Sequence, residues 1–358
     1  MDHEGRIDRV RARLAEAEVD ALLVTDLTNV RYLTGFSGTN GQLVVTSGGA
    51  TFFSDPRYEA RAQTLVRGAE IVIYPSRLTD LLPDHLAGAN VRRIGFESES
   101  VTVAGRDRLS EELSDVELVA TSKVVEDLRR IKDRDEIDLI RAAVELGDAT
   151  FSWMIDRLAP GDTEREIALE LEMHVRNEGA EAVAFEPIVG SGELSAHIHH
   201  TPSERALQKG DLVLIDFGCK RDGYCSDLTR TVVLGAASEA QRELYDLVLA
   251  ANRAGIDALR AGAEGRWVDG VARGLIEEAG HGDAFGHGLG HGVGIDVHEA
   301  PRLHRNSEDE LQAGDVVTVE PGVYLVGSGG VRIEDCVLVT AEGAEVLTTT
   351  PKDDLLEL

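Results

Sequence analysis

Three histidines and five glycines stand close together in residues 286–298, which read Gly-His-Gly-Leu-Gly-His-Gly-Val-Gly-Ile-Asp-Val-His. An imidazole can bind a metal ion or polarise a carbonyl group, and glycine lets a backbone approach a ligand closely. Because each interior glycine costs a helix roughly 1 kcal/mol relative to alanine, we expect a non-helical segment that is held by its surroundings. We interpret it as the lip of an active site; the alternative is a glycine-rich loop with incidental histidines.

Four acidic residues occupy matched positions in the second part of the chain. Asp216 and Glu320 each end an apolar run, Leu-Val-Leu-Ile-Asp and Val-Val-Thr-Val-Glu, where a carboxylate would be costly to bury alone. Asp227 and Glu334 follow 11 and 14 residues later, each across a predicted hairpin that returns the chain to the first acid. Together with one histidine from the glycine-rich run, these carboxylates form a set of mostly hard ligands that suits two Mn²⁺ or Co²⁺ ions.

Two divalent ions at such a site activate water for attack on a carbonyl group, so the predicted chemistry is hydrolysis. The alternative is that the four acids lie on solvated strand ends, as most acidic residues do. An internal repeat argues against this alternative. Residues 161–179 and 262–280 are both bounded by glycines, and each segment leads to a strand that ends in an acid, Asp216 or Glu320. Unrelated surface acids have no reason to recur in register.

A second group of histidines, His197, His199 and His200, stands just before the Asp216 strand. If residues 196–200 are extended, His197 and His199 share one face of the chain. We expect at least one of them to donate to a substrate oxygen; the alternative is a purely structural histidine.

Other hydrolytic mechanisms find no support in the sequence. His287 and His291 are four residues apart, but the pattern His-Glu-x-x-His is not matched and the glycines oppose a helix. Neither a Gly-x-Ser-x-Gly elbow nor a cysteine-nucleophile pattern is present. Cys219 and Cys225 are not spaced as Cys-x-x-Cys, and we interpret them as packing residues.

The length of 358 residues allows two domains with full cores. A formal net charge of −29 repels nucleic acid and anionic membranes, so neither is an expected partner. The sequence has no run near the roughly 20 apolar residues of a membrane span and no secretory signal pattern, so we expect a cytoplasmic protein. Three cysteines are too few for a disulfide framework and are expected to be reduced.

Alternating helix and strand patterns predict a smaller mixed α/β domain in residues 1–122, with short strands at 20–25, 29–34, 41–46 and 50–54 among others. This domain carries no ligand cluster, so we expect it to cap a cleft or form a dimer contact. The charged residues 126–138 predict a solvated helix that enters the second domain. In that domain, residues 123–358, the repeat predicts two halves, each a helix pair and a sheet, related by a pseudo-twofold axis.

The sequence resembles the proline-specific metallopeptidases of the creatinase and methionine-aminopeptidase superfamily, the Xaa-Pro dipeptidases (prolidases) and Xaa-Pro aminopeptidases of the M24 metallopeptidase family. In the second domain the resemblance rests on five stretches: Asp216-Phe-Gly, Asp227-Leu-Thr-Arg-Thr, Gly290-His-Gly-Val-Gly with His298-Glu-Ala-Pro, Glu320-Pro-Gly-Val-Tyr and Val331-Arg-Ile-Glu-Asp. In the first domain, residues 29–38 and Ser54-Asp-Pro-Arg-Tyr resemble the creatinase-type N-terminal domain, which methionine aminopeptidases lack.

The resemblance implies an α+β pita-bread catalytic domain with a dinuclear centre. Asp216 would bind one ion, Asp227 and Glu334 would bridge the two, and His291 with Glu320 would bind the other. The implied partners are short proline-containing peptides, and the implied assembly is a homodimer.

The resemblance also implies roles for residues beside the ions. Glu320 would move a proton, His199 would stabilise the tetrahedral intermediate, and His298 would contact the substrate carbonyl. His287 and Arg332 would contact substrate or support the ligands. The family often has Pro-His-Gly where this chain has Ile198-His199-His200, which leaves the choice among the three histidines of that segment open.

We therefore predict a dinuclear metallopeptidase that cleaves the bond before proline, either as a dipeptidase or, on longer peptides, as an aminopeptidase. A methionine aminopeptidase is disfavoured by the first domain, and metal-free hydrolysis of the creatinase type by the complete ligand set. The alternative outside enzymes is a binding module on an inactive pita-bread scaffold.

Overall fold

The computed structural model describes all 358 residues, and the chain divides into two compact units, Met1–Arg129 and Arg130–Leu358. The boundary expected between residues 122 and 123 stays a prediction. None of the helices combines the length and the apolar character that a membrane crossing requires.

The first unit is built on a six-stranded mixed sheet in the order β4-β3-β2-β1-β5-β6. The strands run antiparallel from β1 through β3, whereas β4, β5 and β6 pair in parallel with their neighbours. Buried apolar side chains such as Leu23, Val44 and Ile94 form its core. The strands are β1 Ala21–Val24, β2 Gln42–Thr46, β3 Gly49–Ser54, β4 Glu70–Ile73, β5 Arg93–Glu97 and β6 Glu117–Thr121. The helices are α1 His3–Arg13, α2 Leu27–Thr34, α3 Glu59–Leu65, α4 Leu82–Gly88 and α5 Val103–Glu112. The expectation of a mixed α/β first domain is confirmed.

The strand predicted at residues 29–34 is wrong, because these residues belong to helix α2. The Asp26 side chain caps the helix by accepting hydrogen bonds from the backbone N–H groups of Thr28 and Asn29. Gly35 ends the helix with φ of +80°, a conformation that favours glycine. These two caps outweigh the strand preference of the valine and tyrosine between them.

The second unit contains two halves with the same order of elements. The first half has helices α7 Arg134–Ile155 and α8 Glu164–Asn177, followed by strands β7 Ala182–Val183, β8 Ile188–Ser191, β9 Leu212–Phe217, β10 Cys219–Arg221, β11 Tyr224–Cys225 and β12 Leu228–Val233. The second half has helices α9 Glu239–Ala258 and α10 Gly265–Glu278, followed by strands β13 Gly290–Gly292, β14 Glu299–Leu303, β15 Val316–Val319, β16 Gly322–Leu325, β17 Gly329–Arg332, β18 Asp335–Val339 and β19 Ala344–Val346. In each half, the helix pair shares an apolar core with the strands that follow it.

The duplication inferred from the glycine spacing is visible in the backbone contacts. Thr163 forms an antiparallel bridge with Ala206, and Glu264 forms the corresponding bridge with Glu310. The same correspondence holds for the bonds from Gly161 N–H to the Leu207 carbonyl and from Gly262 N–H to the Leu311 carbonyl. The two copies therefore fold in the same way around the start of their second helix.

The charged residues 126–138 do not form the single solvated helix that was predicted. A short helix α6, Glu126–Arg130, ends before α7 begins, and Asp133 caps α7 through a reciprocal pair of hydrogen bonds with Glu136. Lys132 and Glu136 are buried, because Lys132 Nζ pairs with Glu299 Oε2 at 3.1 Å and Glu136 accepts a hydrogen bond from the Tyr224 hydroxyl. Specific partners inside the second unit thus replace water for these charges.

Candidate metal centre

The paired strands of the two halves bring the four predicted acids together. Strand β9 pairs with β12 so that Asp216 lies opposite Thr229, and strand β15 pairs with β18 so that Val319 lies opposite Asp335. In each pair the predicted hairpin forms, by β10 with β11 in the first half and by β16 with β17 in the second. The bond from Glu334 N–H to the Thr229 carbonyl links the two pairs, so that the acids of both halves meet at one place.

Three of the predicted ligands lie within coordinating reach of one another. Ligand atoms of Asp227, His291 and Glu334 all lie within 4.8 Å of each other. His291 Nε2 is also 3.4 Å from Glu320 Oε1 and 3.7 Å from Asp227 Oδ2. The fifth predicted ligand, Asp216, is close enough to Asp227, Glu320 and Glu334 to act on each electrostatically. The structure therefore gathers all five residues into one cluster.

Burial and mutual repulsion make this cluster unfavourable for bare carboxylates. Burial and the three neighbouring carboxylates raise the pKa of Asp227 well above its ordinary value. Burial and the charges of Glu320 and Asp216 do the same to the pKa of Glu334, and burial raises the pKa of Glu320 to about 8. Burial raises the pKa of Asp216 as well, although the Arg332 guanidinium opposes the change. A bound cation removes this penalty, because it compensates the negative charges.

Two side-chain atoms of the cluster, Asp216 Oδ1 and His291 Nε2, have the chemistry of metal ligands. Asp216 Oδ1 is buried and has no hydrogen-bond partner. Burial lowers the pKa of His291 to about 4, and its Nδ1 lies 3.1 Å from the Gly292 carbonyl oxygen, so Nδ1 carries the hydrogen. The Nε2 atom therefore carries no hydrogen of its own, and it lies 3.7 and 3.4 Å from carboxyl oxygens of Asp227 and Glu320. An imidazole nitrogen without hydrogen next to carboxyl oxygens is a suitable set of ligand atoms for a divalent ion.

The glycines of the 286–298 run serve the packing of the strand that carries His291. A Cβ atom on Gly290 would lie 2.0 Å from the Thr318 carbonyl oxygen, and one on Gly292 would lie 2.2 Å from the Ala300 carbonyl oxygen. Strand β13 is thus wedged between β14 and β15, and no larger residue fits at either position. The segment is held by its surroundings, as expected, and Gly290 and Gly292 let it approach the neighbouring backbone closely.

His287 and Arg332 are joined through the Tyr324 hydroxyl. Arg332 Nη1 donates to that oxygen at 2.9 Å, and His287 Nε2 lies 2.8 Å from it. Because His287 Nδ1 faces the Gly288 carbonyl at 2.8 Å and carries the hydrogen, the tyrosine hydroxyl donates to Nε2. Arg332 also donates to Asp216 Oδ2. Both predicted substrate contacts are therefore bonded within the protein and border the cluster.

Sequence reasoning missed Thr229, which connects the acids of the two halves. Its hydroxyl donates to Glu334 Oε2 at 2.8 Å and accepts a hydrogen bond from Arg332 Nε at 3.0 Å. The residue is fully buried. Its place on β12 opposite Asp216 was a usable signal, because strand pairing brings it beside that acid.

His199 and His298 are the exposed histidines beside the cluster. The rings of His298 and His291 lie 4.3 Å apart between centroids, and His199 lies close enough to Asp216 and His298 to act on both electrostatically. His200 instead turns to a buried carboxylate, with Nε2 2.8 Å from Glu164 Oε2. The ring of the exposed His197 lies tilted to the His200 ring, with 5.9 Å between the centroids. Of the three histidines in this segment, His199 is the one beside the acids.

Comparison with known proteins places this cluster in a family. Residues 138–341 match the model of metallopeptidase family M24, and residues 6–131 match that of the creatinase/prolidase N-terminal domain. The chain belongs to metallopeptidase family M24. It is therefore a hydrolase of the peptidase class, and the family implies divalent metal ions at its centre. The predicted two-domain α+β architecture of this family, with a pita-bread catalytic domain, is confirmed.

Three known proteins align with almost the whole chain. An Xaa-Pro dipeptidase from Bacillus anthracis has a structure with a TM-score of 0.97 and 39% identity, covering 99% of this chain and 100% of the relative. An Xaa-Pro dipeptidase from Pyrococcus furiosus is 34% identical over 97% of this chain and 99% of its own length. An X-Pro aminopeptidase from Thermotoga maritima has a TM-score of 0.91 and 33% identity, covering 96% and 100% of the two chains.

Proposed function

We propose that this M24 protein is a metal-dependent Xaa-Pro dipeptidase, which hydrolyses the peptide bond before proline in short peptides. The observation that carries the proposal is the cluster of four carboxylates and His291, in which Asp216 Oδ1 is buried without a hydrogen-bond partner and ligand atoms of Asp227, His291 and Glu334 lie within 4.8 Å of one another. The similarity to two Xaa-Pro dipeptidases along nearly the entire chain supports the substrate class.

Five residues are proposed to hold two divalent ions. Asp216 would hold one ion, His291 and Glu320 would hold the other, and Asp227 and Glu334 would supply oxygen ligands to both. Their oxygen-rich donor set supports Mn²⁺, with Co²⁺ as the second choice. When bound, such ions lower the pKa of water and stabilise negative charge on oxygen.

In the proposed reaction, the oxygen of one water molecule adds to the carbonyl carbon before proline. The C–N bond then breaks, and the proline nitrogen gains the proton that the water gave up. Glu320, whose side chain is 17% exposed, takes this proton and delivers it to the nitrogen.

The exposed histidines are proposed to act on the substrate itself. His199 donates a hydrogen bond to the oxygen that becomes negative when water adds, and His298 contacts the substrate carbonyl group. His287 and Arg332 border the peptide site. Their shared hydrogen bonds to the Tyr324 hydroxyl hold all three side chains in place there.

The proposal is tested with the purified protein freed of metal by chelation and reloaded with Mn²⁺, Co²⁺ or Zn²⁺. We expect hydrolysis of Xaa-Pro dipeptides only after metal is restored. Xaa-Pro-Xaa tripeptides form the second arm of the assay, because one relative is an X-Pro aminopeptidase. Preferential cleavage of tripeptides would replace the dipeptidase assignment, and a chain that neither binds nor needs a divalent ion would be a scaffold without activity.

The protein is further proposed to be cytoplasmic and to form a homodimer. All three cysteines are free and buried, which fits a reducing compartment. The homodimer rests on the family resemblance, and light scattering of the purified protein tests it: a mass of one chain, 38.6 kDa, contradicts it.

A further inference from the structure

Glu164 is a fully buried carboxylate that the proposed reaction does not use. It is the first residue of helix α8, and it accepts five hydrogen bonds. Ser191 N–H and Ser191 Oγ donate to Oε1 at 2.8 and 2.7 Å. His200 Nε2, Ser203 N–H and Ser203 Oγ reach Oε2 at 2.8, 3.0 and 2.6 Å. We name Glu164 with Ser191, His200 and Ser203 the Glu164 clamp.

The Glu164 clamp closes the loop that carries His199. Ser191 stands at the start of this loop, and His200 and Ser203 stand at its end, so a single side chain ties both ends together. A second bond holds the middle of the loop to the second half of the unit, because Ser195 Oγ accepts a hydrogen bond from Gly330 N–H at 2.8 Å. His199 lies between these anchors with its side chain exposed.

Comparison of the two repeats indicates that the fold alone does not require an acid at position 164. The residue three positions after Gly161 is Glu164, and the residue three positions after Gly262 is Gly265. A Cβ atom on Gly265 would lie 2.2 Å from the Arg302 carbonyl oxygen, so in that copy the backbone itself fills the space. At the matching position of the first copy, the Glu164 carboxylate instead reaches across to the loop.

The charge on Glu164 makes the clamp stiff. Bonds from a neutral donor to an ionised acceptor are shorter and stronger than those between neutral groups. Burial raises the pKa of Glu164, but the hydrogen bonds from Ser191, Ser203 and His200 outweigh burial and leave the pKa below its ordinary value. The carboxylate therefore stays ionised at neutral pH and keeps its full capacity to accept.

We propose that Glu164 is a positioning residue: by bonding Ser191, His200 and Ser203 it holds His199 in place over the carboxylate cluster. The inference rests on the proposed peptidase reaction, in which His199 stabilises the oxyanion. The proposal also assigns a role to His200, because its ring is one of the three side chains that bond to Glu164. A displacement of about 1 Å in a catalytic group can lower turnover by about 100-fold.

The test compares Glu164→Gln with Glu166→Gln in the Mn²⁺-loaded protein. Both changes remove one negative charge from the first turn of α8, but Glu166 is exposed and bonds only to Thr163 within the helix cap. We expect Glu164→Gln to lower kcat for an Xaa-Pro dipeptide at least about tenfold. KM and bound metal should change little, and Glu166→Gln should behave as the wild type.

A double-mutant cycle with His199→Ala separates positioning from general loss of structure. If Glu164 acts through His199, adding Glu164→Gln to the His199→Ala variant lowers the kcat of that variant by less than about twofold. An equal loss in both backgrounds overturns the proposal, and so does a Glu164→Gln protein as active as Glu166→Gln. Should Glu164→Gln fail to fold, His200→Phe removes one donor and leaves Ser191 and Ser203 bonded, and the same cycle applies to it.

A crystal structure of Glu164→Gln gives a readout that does not need activity. Residues 197–203 should be displaced relative to the wild type, and an undisturbed His199 overturns the proposal. If the wild-type protein cleaves no Xaa-Pro peptide, the proposed function fails by itself, and this structure still decides whether the clamp sets the loop.

Discussion

The Thr229 hydroxyl donates to the Glu334 carboxylate at 2.8 Å while it accepts a hydrogen bond from Arg332 Nε at 3.0 Å. Arg332 in turn donates to Asp216 Oδ2. One buried hydroxyl thus orients a carboxylate of the second half and a guanidinium that orients a carboxylate of the first. The orientation of the proposed metal ligands depends on this connection.

Replacement of Thr229 by valine keeps the shape of the side chain and removes the hydroxyl. We expect metal affinity to fall about 10- to 100-fold, as is typical for loss of a group that orients a ligand. The free energy of unfolding should fall by about 1–3 kcal/mol, because buried polar partners lose a hydrogen bond. Thr231→Val is the matched control, since the Thr231 hydroxyl bonds only to the backbone of Arg332. It should lose stability but retain metal affinity, and an equal loss of affinity in both variants would contradict the role of Thr229.

Removal of either carboxylate that is proposed to bridge the ions, Asp227 or Glu334, should abolish both metal binding and turnover. For Asp227→Asn and Glu334→Gln we expect kcat to drop at least about 100-fold, because each change removes an anionic ligand without changing its shape. Bound metal is measured after dialysis together with dipeptide hydrolysis. Asp222→Asn at the exposed hairpin tip is the control, and near-normal turnover in either cluster variant would rule out the dinuclear centre.

His298→Ala should separate catalysis from metal binding. His298 lies beside His291 with 4.3 Å between the ring centroids, but it is exposed and is proposed to touch the substrate carbonyl. We expect a lower kcat with unchanged metal content. Loss of metal in this variant would instead make His298 a ligand.

The stabilisation that Glu164 provides should disappear in acid. Because the pKa of Glu164 is lowered from 4.5 in the folded protein, its contribution is complete above pH 4.5 and is lost as the pH falls through the folded-state value. The difference in free energy of unfolding between wild type and Glu164→Gln, measured on metal-free protein in urea, should therefore shrink from pH 6 to pH 3. A difference that stays constant across this range would show that Glu164 does not act as an ionised acceptor.

The ligand cluster could be predicted because the spacing of its residues along the chain indicates that they meet. Asp216 and Glu320 recur at matched positions of a repeat. Glycine-containing turns predict hairpins that bring Asp227 back beside Asp216 and Glu334 back beside Glu320. The recurrence, together with local strand pairing, was enough to place the four acids in one cluster.

The hydrogen bonds of the supporting residues could not be predicted, because their partners lie far away along the chain. Thr229 and Glu334 are 105 residues apart, and Glu164 and Ser203 are 39 apart. Strand pairing could have placed Thr229 beside Asp216, but no periodic or spacing signal indicates its bond to Glu334 or the bond between Glu164 and Ser203. Helix α2 was missed for a different reason: the Asp26 cap and the Gly35 terminus decide its conformation, while the residues between them favour a strand.

The close fit of Gly290 and Gly292 against neighbouring carbonyl oxygens restricts which amino acids can replace these two glycines. Main-chain atoms on both sides of this strand limit where the imidazole of His291 can lie. A single methyl group added at either glycine would therefore push the strand away from its neighbours and move that ring with it.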